Sequence, residues 1–277
     1  MPNADKPRLY HDPSSYYSMI ARLALEEGGV DYEPVFVDIH MRMIQQLPDY
    51  VRLNPNMTVP TLVLRGRILD QSRTIAEYAL GVTDDALDAE TKSWLDLHYC
   101  YPIDELTFGG LLSRNPLARF MIPRKLAAAH RRLLARAAGY PDLAEVYNAR
   151  AAVFAERARI FDPEAVMRLS EKRRAEAIGF MDQLERNLAD GRAVMVTLAY
   201  GMADVVWTVF LARMEFTGLG GEIAKRPALA RYWRAMQARP SFAAADIWTR
   251  MHILRLIGGI LGFIKSRDAS CRRKKWP

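Results

Sequence analysis

The pattern of apolar and polar positions at the start of the chain switches repeatedly between the strand period and the helix period. Apolar residues recur at helical spacing from Met19 to Ala24, and Gly28 then supplies a stop signal. β-Branched and aromatic runs predict strands, and Arg65-Gly66 predicts the tight turn of a hairpin. The predicted order is strand 7–10, helix 14–27, strand 33–38, helix about 43–52, strands 61–64 and 67–69, and helix 72–80.

Only helical patterns follow the acidic, turn-like stretch 81–88, which is a reasonable linker. Helices are predicted at about 89–113, 117–138, 142–161, 164–189, 202–218, 226–238 and 246–264. An α/β domain over 1–82 followed by an all-helical domain over 83–277 is therefore the predicted architecture.

Charge and cysteine content exclude several classes of function. The net charge is +7, but the tail 265–275 has six basic residues and one acid, so the rest of the chain is nearly neutral. No aromatic and basic reading surface appears, and nucleic acid is not an expected partner. Cys100 and Cys271 are the only cysteines, which excludes a disulfide framework and favours the reducing cytoplasm. The five histidines lack metal-ligand spacing, so no metal is expected.

The stretch 253–264 is apolar apart from Arg255 and precedes the basic tail. Twelve helical residues rise about 18 Å, well short of the roughly 30 Å of a bilayer core, so a membrane span is not expected. The segment either packs over the second domain, which we favour, or makes weak contact with an anionic membrane surface together with the tail.

Two local motifs offer sites for a peptide-like ligand. Pro60 opens a strand after a loop, either as an edge-strand proline or as a cis-proline that exposes the backbone N–H and C=O of Val59. Ser72 begins a helix, and its hydroxyl with the unpaired N–H groups of the first turn predicts a carboxylate site beside the amide of Gln71. Alternatively, Ser72 only caps its helix.

A third motif, residues 10–18, joins the first strand to the first helix and is rich in hydroxyl groups. A thiol held here would face helix N–H groups and a hydroxyl, and both favour the thiolate. Lowering a thiol pKa by two units needs roughly 2.7 kcal/mol, which one hydrogen bond to a charged acceptor and a helix terminus can supply. The alternative is that Ser14 or Ser15 only caps the helix.

Together these motifs resemble the glutathione transferase superfamily over almost the whole chain. The resemblance implies an α/β thioredoxin-like N-terminal domain plus an all-α C-terminal domain. It assigns the cysteinyl backbone of glutathione to Val59 and Pro60, and the γ-glutamyl group to Gln71 and Ser72. Ser15 takes the position of the activating serine of the serine-type classes.

Other assignments from the resemblance stay open. Ser18 is the second choice for the activating hydroxyl, and Tyr10, Tyr16 or Tyr17 are alternatives to both serines. Arg42 is a candidate for the glycyl carboxylate, and His40 a weaker one. Met57 stands where the family often has glycine, and Gly201 where it usually has a helix-capping Ser or Thr.

Two branches are most similar: the bacterial β-aryl ether-cleaving enzymes and the ganglioside-induced differentiation-associated proteins. Arg213 to Leu219 and Pro141 to Tyr147 fit the second branch, the latter within an insertion at about 114–162. The implied function is a cytoplasmic, homodimeric transferase that joins glutathione to a hydrophobic electrophile, through aryl ether cleavage or dehalogenation among other reactions. The alternative is a non-catalytic binding protein at a membrane surface.

Overall fold

A computed structural model describes residues 6–160, 163–196 and 199–251. The strands are β1 (Arg8–His11), β2 (Glu33–Phe36), β3 (Thr61–Leu64) and β4 (Arg67–Leu69). The helices are α1 (Tyr16–Glu27), α2 (Pro48–Leu53), α3 (Ser72–Leu80), α4 (Ala89–Cys100), α5 (Ile103–Arg114), α6 (Pro116–Gly139), α7 (Ala144–Ile160), α8 (Pro163–Asn187), α9 (Met202–Phe216), α10 (Gly220–Ala224), α11 (Pro227–Gln237) and α12 (Pro240–Ala244).

The four strands form one mixed sheet in the order β2-β1-β3-β4, with β1 parallel to β2 and antiparallel to β3. Arg65 (φ 45°) and Gly66 (φ 77°) connect β3 to β4, so both central residues of the turn have the positive φ that suits a tight hairpin. The predicted element order of residues 7–80 is confirmed. The sheet and its helices form the thioredoxin-like part of the chain.

Helix α9 is the centre of the core. It is buried on every side from Met202 to Met214 and packs against α1 and α4, so the sheet-bearing part and the helical part share one hydrophobic cluster. Trp207 lies among aromatic rings and donates its indole N–H to the Trp94 carbonyl at 3.2 Å. The Asp204 carboxylate accepts a hydrogen bond from the Gly201 N–H at 3.0 Å, so the N-terminus of α9 is capped without a hydroxyl group.

Helices α6 and α7 pack side by side as a hairpin, hereafter the α6–α7 hairpin, within the stretch predicted as an insertion. A second apolar cluster joins its Leu133, Tyr147 and Phe154 to Met43 and Met57 of the first domain. The hairpin therefore closes over the loop that precedes α2 and over the loop that precedes β3.

Prolines account for two differences from the predicted elements. The helix predicted over 89–113 is interrupted after Cys100, because Pro102 restricts the residue before it and lacks an N–H group. The helix predicted at about 43–52 is a short 3-10 turn at Ile44–Gln46, followed by α2 with Pro48 at its first position.

The predicted helix from 246 is wrong at its beginning. Residues 246–251 form a turn, a bend and irregular chain, and Asp246 has a left-handed backbone (φ 49°). The rest of that prediction, and the basic tail 265–275, lie outside the described residues. Within the described ranges, we find no helix with both the length and the apolar character that a membrane crossing demands.

Candidate active site

A cleft of about 1840 Å³ lies between the sheet-bearing part and the helices. Its first-domain side is lined by the loop between β1 and α1, by Val59 and Pro60, and by the start of α3. Its other walls come from α5, the α6–α7 hairpin, the end of α9 and Trp248. The three predicted ligand-binding motifs thus face one common space.

Ser15 lines the cleft at the start of α1. Its oxygen accepts a long hydrogen bond (3.4 Å) from the backbone N–H of Ser18 and so caps the helix. Within the described ranges no acceptor receives its O–H proton. The capping and activating roles are therefore compatible, because a capping hydroxyl accepts one bond and keeps its proton for a thiolate.

Ser14 is engaged in a separate network. Its hydroxyl donates to the Asp12 carboxylate at 2.7 Å and pairs with His40 Nε2, also at 2.7 Å. Since the hydroxyl proton goes to Asp12, His40 is the donor to the Ser14 oxygen. His40 lines the cleft, and this network fixes its ring beside the β1–α1 loop.

The remaining hydroxyl candidates differ in their access to the cleft. Ser18 does not line it, and its hydroxyl is buried without a hydrogen-bond partner in the described chain, so the structure does not bring Ser18 to a bound thiol. Tyr10 is buried on the sheet. Tyr16 also lines the cleft, but it is only 7% exposed and its hydroxyl is hydrogen-bonded to His98 Nε2 at 2.6 Å. Tyr17 lines the cleft and remains an alternative to Ser15.

The peptide bond between Val59 and Pro60 is cis, and both residues line the cleft. Across the described ranges, no turn or loop hydrogen bond engages the backbone N–H or C=O of Val59. A peptide-like ligand would satisfy both groups, which fits the cysteinyl backbone of glutathione. Tyr50 and Asn54 hold this turn by donating to the Thr58 carbonyl at 2.6 and 3.1 Å.

Helix α3 presents its start to the cleft. The preceding Gln71 makes no side-chain cap, so the first-turn N–H groups have no capping oxygen. The Ser72 hydroxyl lies 3.3 Å from the Tyr99 hydroxyl of α4, and Asp70 lines the cleft next to Gln71. A γ-glutamyl group carries a carboxylate and an ammonium group, and these positions offer N–H donors for the first and a carboxylate for the second.

Arg42 is not brought to the cleft by the structure. Its backbone N–H donates to Asp38, as do those of His40 and Met41, and its side chain is absent from the described cleft lining. His40 and Lys125 do line the cleft on that side. Lys125 belongs to the α6–α7 hairpin, so no local signal near the first-domain motifs points to it.

The second-domain half of the cleft is largely aromatic, with Phe108, Phe216 and Trp248 among its lining residues. By contrast, Trp207 and Phe210 are core residues. Arg213, near the end of α9, also faces this half. No local sequence pattern predicts a role for Arg213 at the site, because its place beside the β1–α1 loop depends on a contact between residues far apart in the chain.

A thioredoxin-like sheet with a cis-proline turn, joined to helices around such a cleft, is the architecture of the glutathione transferases. A family model described as glutathione S-transferase, N-terminal domain, matches residues 6–81. The chain is 33% identical to the tetrachloro-p-hydroquinone reductive dehalogenase of Sphingobium chlorophenolicum over 251 residues, covering 86% of this chain and 95% of the dehalogenase. The chain therefore belongs to the glutathione S-transferase superfamily.

Both predicted branches appear among the similar proteins. The chain is 27% identical to ganglioside-induced differentiation-associated protein 1-like 1 of Homo sapiens over 278 residues, covering 88% of this chain and 75% of that protein. It shares the fold of the β-etherase from Sphingobium sp. strain SYK-6, with a TM-score of 0.61 and 19% identity over 87% of this chain and 98% of the other. The protein is an enzyme of the glutathione transferase type, with glutathione as co-substrate.

Proposed function

We propose that the protein joins the thiolate of glutathione to a hydrophobic electrophile held against the aromatic half of the cleft. The observation that carries this proposal is Ser15, a cleft-lining hydroxyl at a helix start whose proton has no acceptor in the described chain. The dehalogenase and the β-etherase among the similar proteins favour displacement of a halide or of an aryl ether oxygen.

The proposed binding mode follows the cleft from one side to the other. The backbone of Val59, before Pro60, pairs with the cysteinyl residue, and Gln71, Ser72 and the α3 start hold the γ-glutamyl carboxylate. Asp70 takes the γ-glutamyl ammonium group. For the glycyl carboxylate, His40 and Lys125 replace Arg42 as our candidates, because both line the cleft.

The reaction balances without a further reagent. The glutathione thiol loses its proton to water, and the thiolate forms a C–S bond as the bond from carbon to the leaving group breaks. The leaving halide or aryl oxide departs with the bonding electron pair. Ser15 donates its O–H to the thiolate, which stabilises the charged form and lowers the thiol pKa.

Replacing Ser15 with glycine tests this role with little damage to the helix. Glycine at a helix N-cap costs only a few tenths of a kcal/mol relative to serine, but it removes the hydroxyl. We expect the pKa of bound glutathione to rise by about one to two units, because a hydrogen bond to a charged group contributes about 1.5–3 kcal/mol. The ultraviolet absorbance of the bound thiolate, titrated against pH, measures it.

Ser15→Thr is the matched control, since it keeps both the hydroxyl and the cap. An unchanged thiolate titration in Ser15→Gly, with a shift in Tyr17→Phe instead, would transfer the role to Tyr17. If calorimetry detected no binding of glutathione to the wild-type protein, the proposed function itself would be wrong.

We further propose a cytoplasmic homodimer, on the family resemblance and the cysteine content. Weak contact with an anionic membrane surface through the tail 265–275 is proposed from its charge alone. Light scattering tests the dimer. Co-sedimentation with anionic vesicles, comparing the full chain with one that ends at residue 264, tests the surface contact, and equal retention of the two chains would reject it.

A further inference from the structure

Arg213 is a buried cation that faces the cleft and has no ion-pair partner among the described residues. Its side chain is 4% exposed, and it lines the aromatic half of the cleft. The guanidinium donates one hydrogen bond, from Nη2 to the Ser14 carbonyl at 3.3 Å, while its buried Nε has no partner within the described ranges. In the same ranges, no carboxylate lies within ion-pair distance of it, and the Asp104 carboxylate, which lines the same cleft, acts on it only from farther away.

A second buried arginine shows how this chain satisfies such a group when its role is structural. Arg22 is also 4% exposed, but it donates to the carbonyls of Ala245, Pro13 and Asp246 at 2.6, 3.1 and 3.0 Å. These bonds connect the β1–α1 loop to the chain after α12. Arg213 has no comparable set of carbonyls, so part of its donor capacity is directed at the cleft.

The charge of Arg213 persists at neutral pH despite its burial. Burial lowers its pKa to about 10, while Tyr16 and the Asp104 carboxylate act in the opposite direction and favour the charged form. A buried charge is costly unless a partner compensates it, and a guanidinium pairs best with a planar, anionic oxygen group. An anion that enters the cleft would provide this compensation.

Aromatic surroundings narrow the class of anion. The guanidinium carbon lies 5.4 Å from the centre of the Tyr16 ring and 4.7 Å from that of Phe216, and Phe108 and Trp248 line the same space. These rings favour a flat, apolar ligand body next to the cation. The Ser14 carbonyl that Arg213 contacts belongs to the residue before Ser15, which places the cation close to the proposed thiolate.

We propose that Arg213 is the specificity-determining residue of the electrophile site, binding a carboxylate or phenolate oxygen on an aromatic acceptor. This inference rests on the proposed function. It defines the preferred electrophile as an anionic arene rather than a neutral one. The glutathione thiolate is another anion that Arg213 could bind in this region. The experiment below distinguishes binding of the electrophile's anionic group from binding of the thiolate.

Two acceptors that react by the same aromatic displacement provide the test. 4-Chloro-3-nitrobenzoate carries a carboxylate where 1-chloro-2,4-dinitrobenzene carries a second nitro group. In Arg213→Met we expect kcat/KM for the benzoate to fall by about 10- to 100-fold, mainly through KM, and that for the neutral acceptor to change by less than about 3-fold. Arg213→Lys should recover part of the loss, because it restores the charge without the planar fork.

Arg150→Met is the matched control, since Arg150 is another cation that lines the cleft but lies on α7. It should affect the two acceptors equally. Equal losses for both acceptors in Arg213→Met, with a raised pKa of bound glutathione, would assign Arg213 to the thiolate and overturn the proposal.

A binding measurement separates failure of this proposal from failure of the proposed function. Calorimetry of 3-nitrobenzoate and nitrobenzene, with S-methylglutathione present, needs no turnover. Weaker binding of 3-nitrobenzoate alone in Arg213→Met supports the proposal even if neither chloroarene is turned over. Equal binding of 3-nitrobenzoate by wild type and variant rejects it, whereas absence of S-methylglutathione binding rejects the proposed function. Thermal unfolding of Arg213→Met and Arg213→Lys verifies that both variants are folded.

Discussion

Two buried histidines tie the stability of the fold to pH. His98 lies among Tyr16, Tyr99 and Trp207, and burial lowers its pKa to about 3. The pKa of His11 is also lowered to about 3, by burial and by the charge of Arg22. Both imidazoles are therefore neutral in the folded protein over a range where the unfolded chain, with a histidine pKa near 6.5, binds protons.

The unfolded state binds more protons between about pH 3 and about pH 6.5, so stability rises with pH through that window and falls on acidification. At about pH 5, each histidine should lower the free energy of unfolding by about 2 kcal/mol relative to neutral pH. Urea unfolding at about pH 5 and about pH 7.5 measures the difference. His98→Gln retains a group that can bond Tyr16 and should reduce the difference in stability between the two pH values. An equally steep pH dependence in that variant would show that His98 does not cause it.

The local part of the site was predictable at the level of single residues, because each motif carries its own chemistry. The helix start at Ser72 follows from sequence neighbours, and the cis bond before Pro60 is one of the two interpretations that those neighbours left open. Arg213 and Lys125 required contacts across long stretches of chain, which no local pattern encodes. Ser18 matched the family pattern but is turned into the core by the helix period.

Met57 explains a departure from the family pattern in physical terms. Its backbone is left-handed (φ 51°), a conformation that costs a non-glycine residue roughly 1–2 kcal/mol. Its side chain is 2% exposed in the cluster shared with the α6–α7 hairpin. Burial of a methionine contributes about 1.5–3 kcal/mol, which offsets the backbone cost.

At the scale of elements, two neighbouring glycines of α5 have opposite roles. A Cβ on Gly109 would lie 2.1 Å from Ser170 Cβ and 3.0 Å from the Val166 carbonyl oxygen of α8, whereas a Cβ on Gly110 would meet nothing within 4 Å. The close packing of α5 on α8 therefore depends on the missing side chain of Gly109 and not on that of Gly110.

Gly109→Ala should separate the two helices and destabilise the protein by about 1–3 kcal/mol, as overpacking of a core does. Gly110→Ala is the matched control and should be neutral or stabilising by up to about 1 kcal/mol, because alanine is the better helix former. Thermal unfolding of both variants gives the comparison. Similar melting temperatures for the two would show that α5 and α8 do not require the close approach.

The boundaries of helices and strands were predictable where nearby glycine, proline or turn residues mark them. The contacts between the elements were not predictable. The hairpin at Arg65-Gly66 and the end of α3 at Gly81 follow from glycine and turn chemistry. The helix prediction across Pro102 gave too much weight to apolar spacing on either side of the proline. The close contact at Gly109 depends on Ser170, sixty-one positions away, and has no signature in the sequence.

At the scale of the whole molecule, the α6–α7 hairpin connects the helical part to the glutathione side of the cleft. The Gln46 carbonyl accepts hydrogen bonds from Arg136 Nη1 at 2.8 Å and from the Tyr147 hydroxyl at 2.9 Å. Gln46 precedes α2, and the same loop contributes Met43 to the second cluster. The sequence predicted an insertion but not its contact surface, because helical periodicity reveals a buried face without naming its partner.

This connection predicts that Tyr147→Phe loosens the first domain more than the second. Removing one buried hydrogen bond costs about 1 kcal/mol, so local opening of residues 43–57 should become about fivefold more frequent. Hydrogen exchange of that segment measures the opening, and KM for glutathione should rise while kcat changes little, because Met57 adjoins the Val59 turn. Tyr140→Phe, an exposed tyrosine on the same hairpin, is the matched control. Equal exchange in the two variants would mean that the hairpin does not hold the loop that contains Gln46.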